Sequence, residues 1–148
     1  MGAGLYLHVP FCRRKCPYCN FYSVPAQPEL LTAYTAAVCR NLRHYGNAAQ
    51  PERVDTVYFG GGTPSLLLPA QITQILETAA EQFTLSADTE ITLETNPATV
   101  TPEQLRELRH AGINRLSLGV QSLSDAQLKR LGRLHTAQEA VETVYAAA

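Results

Sequence analysis

Four times along this 148-residue chain a short apolar, β-branched run gives way to a polar or glycine-rich loop and then to a helix-like run. Leu5–Val9 is the first strand of this kind, ahead of a cysteine-bearing loop and a helix near Glu29–Arg43. Val54–Phe59 (VDTVYF) is the second, followed at once by GGGTPS and a helix over Pro69–Gln82, where Pro69 suits a first helical turn. Glu90–Thr95 (EITLET) is the third. Thr101-Pro102-Glu103-Gln104 then carries a helix start signal, with Thr at the N-cap, Pro at N1 and Gln at N3, and Gly112 closes that helix after about His110. Arg115–Val120 (RLSLGV) is the fourth strand, before a short helix from Ser124 to Arg130 and a last one from Thr136. Successive βα units pack as a parallel sheet with helices outside it, so the chain is α/β, with a doubly wound sheet and a barrel as the open choices. Four strands do not close a barrel. The chain stops in a helix, VYAAA, so residues 1–148 are expected to be one domain truncated on its C-terminal side. In either architecture function gathers at the carboxyl ends of the strands.

The bulk chemistry narrows the partners. Twelve Lys+Arg against thirteen Asp+Glu give a formal charge of -1, with no basic excess for nucleic acid. No apolar run approaches the roughly 20 residues of a membrane-spanning helix. MGAGLYLHVPFC has neither the basic start nor the long apolar core of a secretory signal, and Gly2 lacks the downstream Ser or Thr of a myristoylation motif. A cytoplasmic location is therefore expected, where the four cysteines stay reduced and serve metal binding or catalysis. Cys39, inside the helical run LLTAYTAAVCRNL, reads as a small buried hydrophobe.

The other three cysteines stand together in FCRRKCPYCNF: Cys12, Cys16 and Cys19 at CxxxCxxC spacing. Thiolates are soft ligands that select iron–sulfur clusters or zinc. Structural zinc sites have four protein ligands, commonly in two separated pairs, and Cys39 twenty residues on makes a poor second half. Three thiolates on a [4Fe–4S] cluster leave one iron free to take a small molecule, whereas most protein-held clusters use four cysteines. On the residues alone a cluster is favoured, with zinc and unliganded thiols as the alternatives. Phe11, Tyr18, Phe21 and Tyr22 crowd the same loop, and core packing is expected for at least two of them.

CxxxCxxC with an aromatic before the third cysteine resembles the radical S-adenosylmethionine (SAM) superfamily. The resemblance implies a partial (β/α)6, TIM-like barrel, of which about four βα units are present here. It also implies that Cys12, Cys16 and Cys19 hold a [4Fe–4S] cluster whose open iron binds the amino and carboxylate groups of SAM, and that reduction cleaves SAM to a 5′-deoxyadenosyl radical. The cofactors bring the hard chemistry and the protein positions them.

Gly60-Gly61-Gly62-Thr63-Pro64 is neither a GxGxxG fingerprint nor a P-loop, and by itself reads as a tight strand-to-helix turn. Its glycines let the backbone approach a ligand closely. By resemblance Gly61, Gly62 and Thr63 meet SAM, as does Glu94 at the end of the third strand, placed for ribose hydroxyls. Asn96, before Pro97, reads as a turn former. Tyr6, Tyr18, Gln121 and Arg133 also match SAM-contacting positions in one subgroup, the oxygen-independent coproporphyrinogen III oxidase-like family. The similarity runs from LYLHVPFC through GGGTP, ETNP and GINRLSLGVQS to LGRLH.

The oxidases of that family carry a further cysteine two residues after the third, and Phe21 stands there instead. They also have a substantial segment before the first strand. Both departures are similar to the heme-chaperone (HemW) branch. The implied function is heme binding and transfer to hemoprotein targets, with SAM and an external reductant as partners; oxidative decarboxylation of coproporphyrinogen III is the alternative. None of His8, His44, His110 and His135 lies in a diagnostic heme motif, so none is assigned as an axial ligand.

Overall fold

The computed structural model describes residues 2–48, 53–97 and 99–148. Its elements in chain order are β1 (Ala3–Val9), β2 (Phe11–Cys12), β3 (Val24–Pro25), α1 (Pro28–Ala48), β4 (Arg53–Gly61), α2 (Pro69–Gln82), β5 (Thr84–Thr95), α3 (Pro102–His110), β6 (Arg115–Leu118), α4 (Asp125–Arg130) and α5 (Ala137–Ala147). A single 3-10 turn, Pro64–Leu66, lies between β4 and α2. Strands β1, β4, β5 and β6 form one parallel sheet in that order. Strand order follows chain order, so no reversal creates the switch point of a doubly wound sheet.

One face of the sheet makes the core. Leu7 pairs with Phe59, Phe59 with Leu93 and Leu93 with Leu116, placing an apolar row across the strands. Val9, Val57, Phe59 and Leu93 are fully buried against Ile72, Ile75 and Ala79 of α2 and Cys39 and Leu42 of α1. Cys39 has the expected role of a buried small hydrophobe, its thiol turned to the Gln74 carbonyl at 3.8 Å. The other face carries Tyr6 beside Tyr58, then Thr92 and Arg115 in the same row, with His8, Glu94 and Ser117 one step further on. Tyr6 is 60% exposed, so this face is not covered as the core face is. A sheet with helices on one side and polar, aromatic side chains on the other is the wall of a barrel rather than a doubly wound layer.

Local chemistry explains the boundaries. Thr101 Oγ1 accepts the Gln104 N–H and Gln104 Oε1 accepts the Thr101 N–H, closing the capping box at the start of α3. Gly112, at φ 109°, ends that helix in the left-handed region. β1 and β4 extend past their expected bounds, to Ala3–Val9 and Arg53–Gly61, and β5 and β6 differ for identifiable reasons. β5 begins six residues before Glu90: Thr84 and Leu85 pair with Arg53 and Val54, then a bulge around Ser86–Thr89 shifts the register. Thr89 Oγ1 accepts the Ser86 N–H and donates to the Val54 carbonyl, so these polar residues are stitched into the sheet. β6 ends at Leu118 rather than Val120, because the Val120 N–H turns back to the Leu118 carbonyl. Among the described residues no helix is long and apolar enough to cross a membrane.

Candidate functional site

The cysteine loop is pinned at its base by a ladder too short to read in the sequence. Phe11 and Cys12 pair with Val24 and Pro25, and the Val24 N–H bonds the Pro10 carbonyl at 2.8 Å. The loop thereby returns to its starting point and stands at the carboxyl end of β1. Of its four aromatics only Phe11 packs into the core, edge-on to Tyr34 at 5.4 Å. Tyr18, Phe21 and Tyr22 are 46–71% exposed, contrary to the expectation of two packed rings, because the loop projects beyond the sheet end.

Cys12, Cys16 and Cys19 all line one cavity of about 330 Å³ at the strand ends, and Tyr18, Gly61, Gly62, Thr63, Glu94, Gln121 and Arg133 line it with them. Tyr6 does not. It lies on a neighbouring groove, yet its ring stacks on Tyr58 at 6.0 Å and its hydroxyl meets His8 Nδ1 at 3.1 Å. Among the described residues no three His, Cys, Asp or Glu side chains converge on a point that a single ion could occupy. A four-iron cluster has no such requirement, since each thiolate takes a separate iron.

The GGGTP turn is bound closely to this loop. Gly61 sits at φ 119°, and a Cβ on Gly62 would lie 2.5 Å from the Phe11 carbonyl oxygen and 3.0 Å from Cys12 Sγ. Only glycine allows that approach. Three of the turn's amides are engaged: Gly61 donates to Glu94 Oε2 at 3.0 Å, Gly62 to the Val9 carbonyl and Thr63 to the Phe11 carbonyl. These three N–H groups are therefore not available as donors to whatever enters the cavity.

Glu94 takes its second bond from the Tyr58 hydroxyl at 2.8 Å. Burial pushes the Tyr58 and Tyr6 phenols above their ordinary value, and the Glu94 carboxylate adds to the effect in both. Burial also raises Tyr18, while the Arg133 charge opposes it.

Arg133 joins the far end of the chain to the cysteine loop. One terminal nitrogen faces Cys16 Sγ at 3.5 Å and the Tyr18 hydroxyl at 3.4 Å; the other donates to Asn96 Oδ1 and, at 2.8 Å, to the Gly119 carbonyl. Its Nε is buried without a partner among the described residues. The preceding Gly132, at φ 69°, presses on Pro17, where a Cβ would come within 2.8 Å. Gln121 is exposed and, among the described residues, is the non-glycine residue with positive φ, 68°, at the tip of a γ-turn closed by the Ser122 N–H and the Val120 carbonyl. His135 is buried and spends a ring nitrogen on that same Val120 carbonyl.

Asn96 is the residue that sequence reasoning passed over. Beyond shaping its turn it donates from Nδ2 to Thr63 Oγ1 at 3.1 Å, and Thr63, only 4% exposed, faces Cys12 Sγ at 3.8 Å. Its placement directly after the Glu94-Thr95 strand end was the available signal.

The profile of the radical SAM superfamily matches residues 6–148. The chain is 43% identical over 143 residues to radical S-adenosyl methionine domain-containing protein 1, mitochondrial, of Mus musculus, covering 96% of this chain and 32% of that one. It is 43% identical over 138 residues to the heme chaperone HemW of Escherichia coli K12, covering 93% and 36%. The solved structure of coproporphyrinogen III oxidase (HemN) from Escherichia coli, described as a radical SAM enzyme, superposes with a TM-score of 0.88 at 29% identity, over 97% of this chain and 33% of that one. The chain thus spans about a third of the length of the curated relatives it matches.

Proposed function

The chain belongs to the radical SAM superfamily, in the HemW branch of its coproporphyrinogen oxidase-like members, and on that premise we propose that residues 1–148 are the cofactor-binding part of a heme chaperone. The superfamily implies a [4Fe–4S] cluster and SAM. In this reading the four βα units are the first part of a partial (β/α)6 barrel, and the parent protein works in the cytoplasm. There it binds heme and hands it to target hemoproteins.

The residues present fit both groups. Three half-exposed thiols share one cavity with a single carboxylate, Glu94, and with the cations Arg14, Lys15 and Arg133, a charge balance suited to an anionic thiolate cluster. Cys12, Cys16 and Cys19 are assigned to the cluster. Gly61 and Gly62, which line the cavity with their N–H groups already engaged, are assigned to the amino end of SAM. Glu94 keeps free lone pairs beyond its two bonds and is assigned to ribose hydroxyls. Tyr18, Gln121 and Arg133 close the cavity around SAM, and the orphaned Arg133 Nε is a donor that a ligand's acceptor would satisfy. Tyr6 stacks on Tyr58, which bonds Glu94, so it steadies the ribose position from outside the cavity. Thr63 is assigned to the same lining, although its hydroxyl and amide are already engaged. When bound, the cluster supplies single electrons to SAM.

Phe21 carries the choice between branches. It lines the cavity two residues past Cys19, where a fourth sulfur would give the oxidase pattern, and it offers an apolar ring instead. The oxidase reading is the second, favoured by the close superposition on HemN. The parent protein, reconstituted anaerobically, should take up about four irons and four sulfides per chain. It should then bind heme and pass it to an apo-hemoprotein, followed by the Soret band. Zinc in place of iron would end the cluster reading. Conversion of coproporphyrinogen III to protoporphyrinogen IX in the presence of SAM and reductant would replace the chaperone by the oxidase.

A further inference from the structure

Two of the three thiols receive side-chain hydrogen-bond donors, and a single chain of bonds links those donors. Arg133 has no acceptor atom, so the Asn96 side-chain atom facing its guanidinium must be the carbonyl oxygen. The Asn96 amide is thereby oriented with Nδ2 toward Thr63, and the hydroxyl oxygen of Thr63 accepts that proton at 3.1 Å. With its oxygen used as an acceptor, Thr63 is left to aim its own proton elsewhere, and the group it faces is Cys12 Sγ at 3.8 Å. The other terminal nitrogen of Arg133 points at Cys16 Sγ at 3.5 Å. One guanidinium therefore acts on both sulfurs, directly at Cys16 and through Asn96 and Thr63 at Cys12.

The surroundings preserve this arrangement. A Cβ on Gly119 would fall 2.7 Å from Asn96 Oδ1 and 3.4 Å from the Arg133 nitrogen, so a glycine keeps the meeting point open. Thr63 is fixed from its backbone by bonds to the Phe11 carbonyl and from the Leu66 N–H. Hydrogen bonds and positive charge at cluster sulfurs draw electron density from the iron and raise the reduction potential.

We propose that Thr63, Asn96 and Arg133 form a hydrogen-bond relay that raises the reduction potential of the cluster held by Cys12, Cys16 and Cys19, with Asn96 as its positioning residue. The inference rests on the cluster reading above and extends it to residues that bind no iron. Asn96 acts by setting which way the Thr63 proton points.

The test is a potentiometric titration of the reconstituted parent protein without SAM, read from the electron paramagnetic resonance of the reduced cluster. Thr63→Val removes the proton and keeps the shape. The reduced-to-oxidised ratio at a fixed potential should fall about tenfold, equivalent to a negative shift of about 59 mV for one electron. Thr63→Ser restores the hydroxyl and should titrate with the wild type. Asn96→Leu frees both Thr63 and Arg133 and should shift at least as far as Thr63→Val, and the double variant should add little. The potential is read from the loaded fraction, so incomplete loading leaves it measurable. If Thr63→Val holds no cluster, Asn96→Leu carries the comparison. Potentials unchanged in both variants overturn the relay, and so does loss of the cluster from both, which would make the network structural. A wild type that assembles no cluster overturns the cofactor reading itself and is a separate result.

Discussion

Glu94 Oε2 accepts the Gly61 backbone N–H at 3.0 Å, so the carboxylate ending β5 holds the turn that ends β4. Its other oxygen accepts the Tyr58 hydroxyl, which makes one side chain the brace of two strands. Glu94→Gln has a single oxygen for two donors and sets an NH2 against one of them. Urea unfolding without SAM should show a loss of about 1–3 kcal/mol. SAM affinity, by calorimetry on the parent protein, should fall about tenfold or more. Unchanged unfolding would show that the turn stands without the brace.

Two glycine substitutions separate the site from the scaffold. A Cβ at Gly62 meets the Phe11 carbonyl and Cys12 Sγ, and backbone cannot yield as a side chain can, so Cys12 has to move. Gly62→Ala should cost about 1–3 kcal/mol and lower the iron and sulfide bound per chain. Gly112 lies at φ 109° at the end of α3, where a Cβ would meet Leu76 and Ile91 only at ordinary contact distances of 3.4 and 3.9 Å. Gly112→Ala should cost about 1–2 kcal/mol through backbone strain and leave cluster loading per folded chain unchanged. Equal loading in the two variants would remove the close approach of Gly62 from the account.

Gln121 holds a strained turn beside the cavity. A γ-turn whose central residue has positive φ is the rarer, costlier sense, and Gln121 pays no smaller penalty for lying near a functional site. Gln121→Gly should stabilise the chain by about 1 kcal/mol, the relief of strain exceeding the entropy of the new glycine. SAM affinity should move the opposite way if the amide reaches the ligand. A destabilised Gln121→Gly variant would refute the strain.

Elements set by local chemistry were legible in the sequence. Pro69–Gln82 and the Thr101 cap fall where their proline and capping residues put them, because those signals act within four residues. The site was legible as separate blocks, since Cys12, Gly62 and Glu94 each sit at a strand end that the βα alternation locates. What joins the blocks was not. The Asn96–Thr63 and Arg133–Cys16 contacts span 33 and 117 residues and depend on side-chain directions that only the folded sheet fixes. The two-residue pairing of Phe11–Cys12 with Val24–Pro25 is too short to show a period of two. The exposure of Tyr18 and Phe21 was missed for a related reason: their apolar character reads as core unless the loop is known to project.

Acid should weaken the last helix through one carboxylate. Thr136 Oγ1 accepts the Glu139 N–H while Glu139 Oε2 accepts the Thr136 N–H at 2.7 Å, a complete capping box at the start of α5. That backbone bond, with a second from the Thr136 hydroxyl, holds the Glu139 carboxyl below its ordinary value of 4.5. A depressed folded value means that the native state binds the proton less readily than the unfolded chain. The stabilisation is therefore present above pH 4.5 and is lost as pH falls through the folded value. Glu103 and Asp55 are lowered in the same sense, so the wild type alone shows their sum. Glu139→Gln isolates the one group: its amide oxygen still accepts the Thr136 N–H, but it carries no charge to lose. The gap between wild type and Glu139→Gln in urea midpoint should be open at pH 7 and narrower at about pH 3. Thr136→Ala, which removes the cap and the hydroxyl bond to the Glu139 carboxylate, should cost about 1 kcal/mol at pH 7 and less at about pH 3. A gap of the same size at both pH values would mean that Glu139 acts through packing, not through its charge.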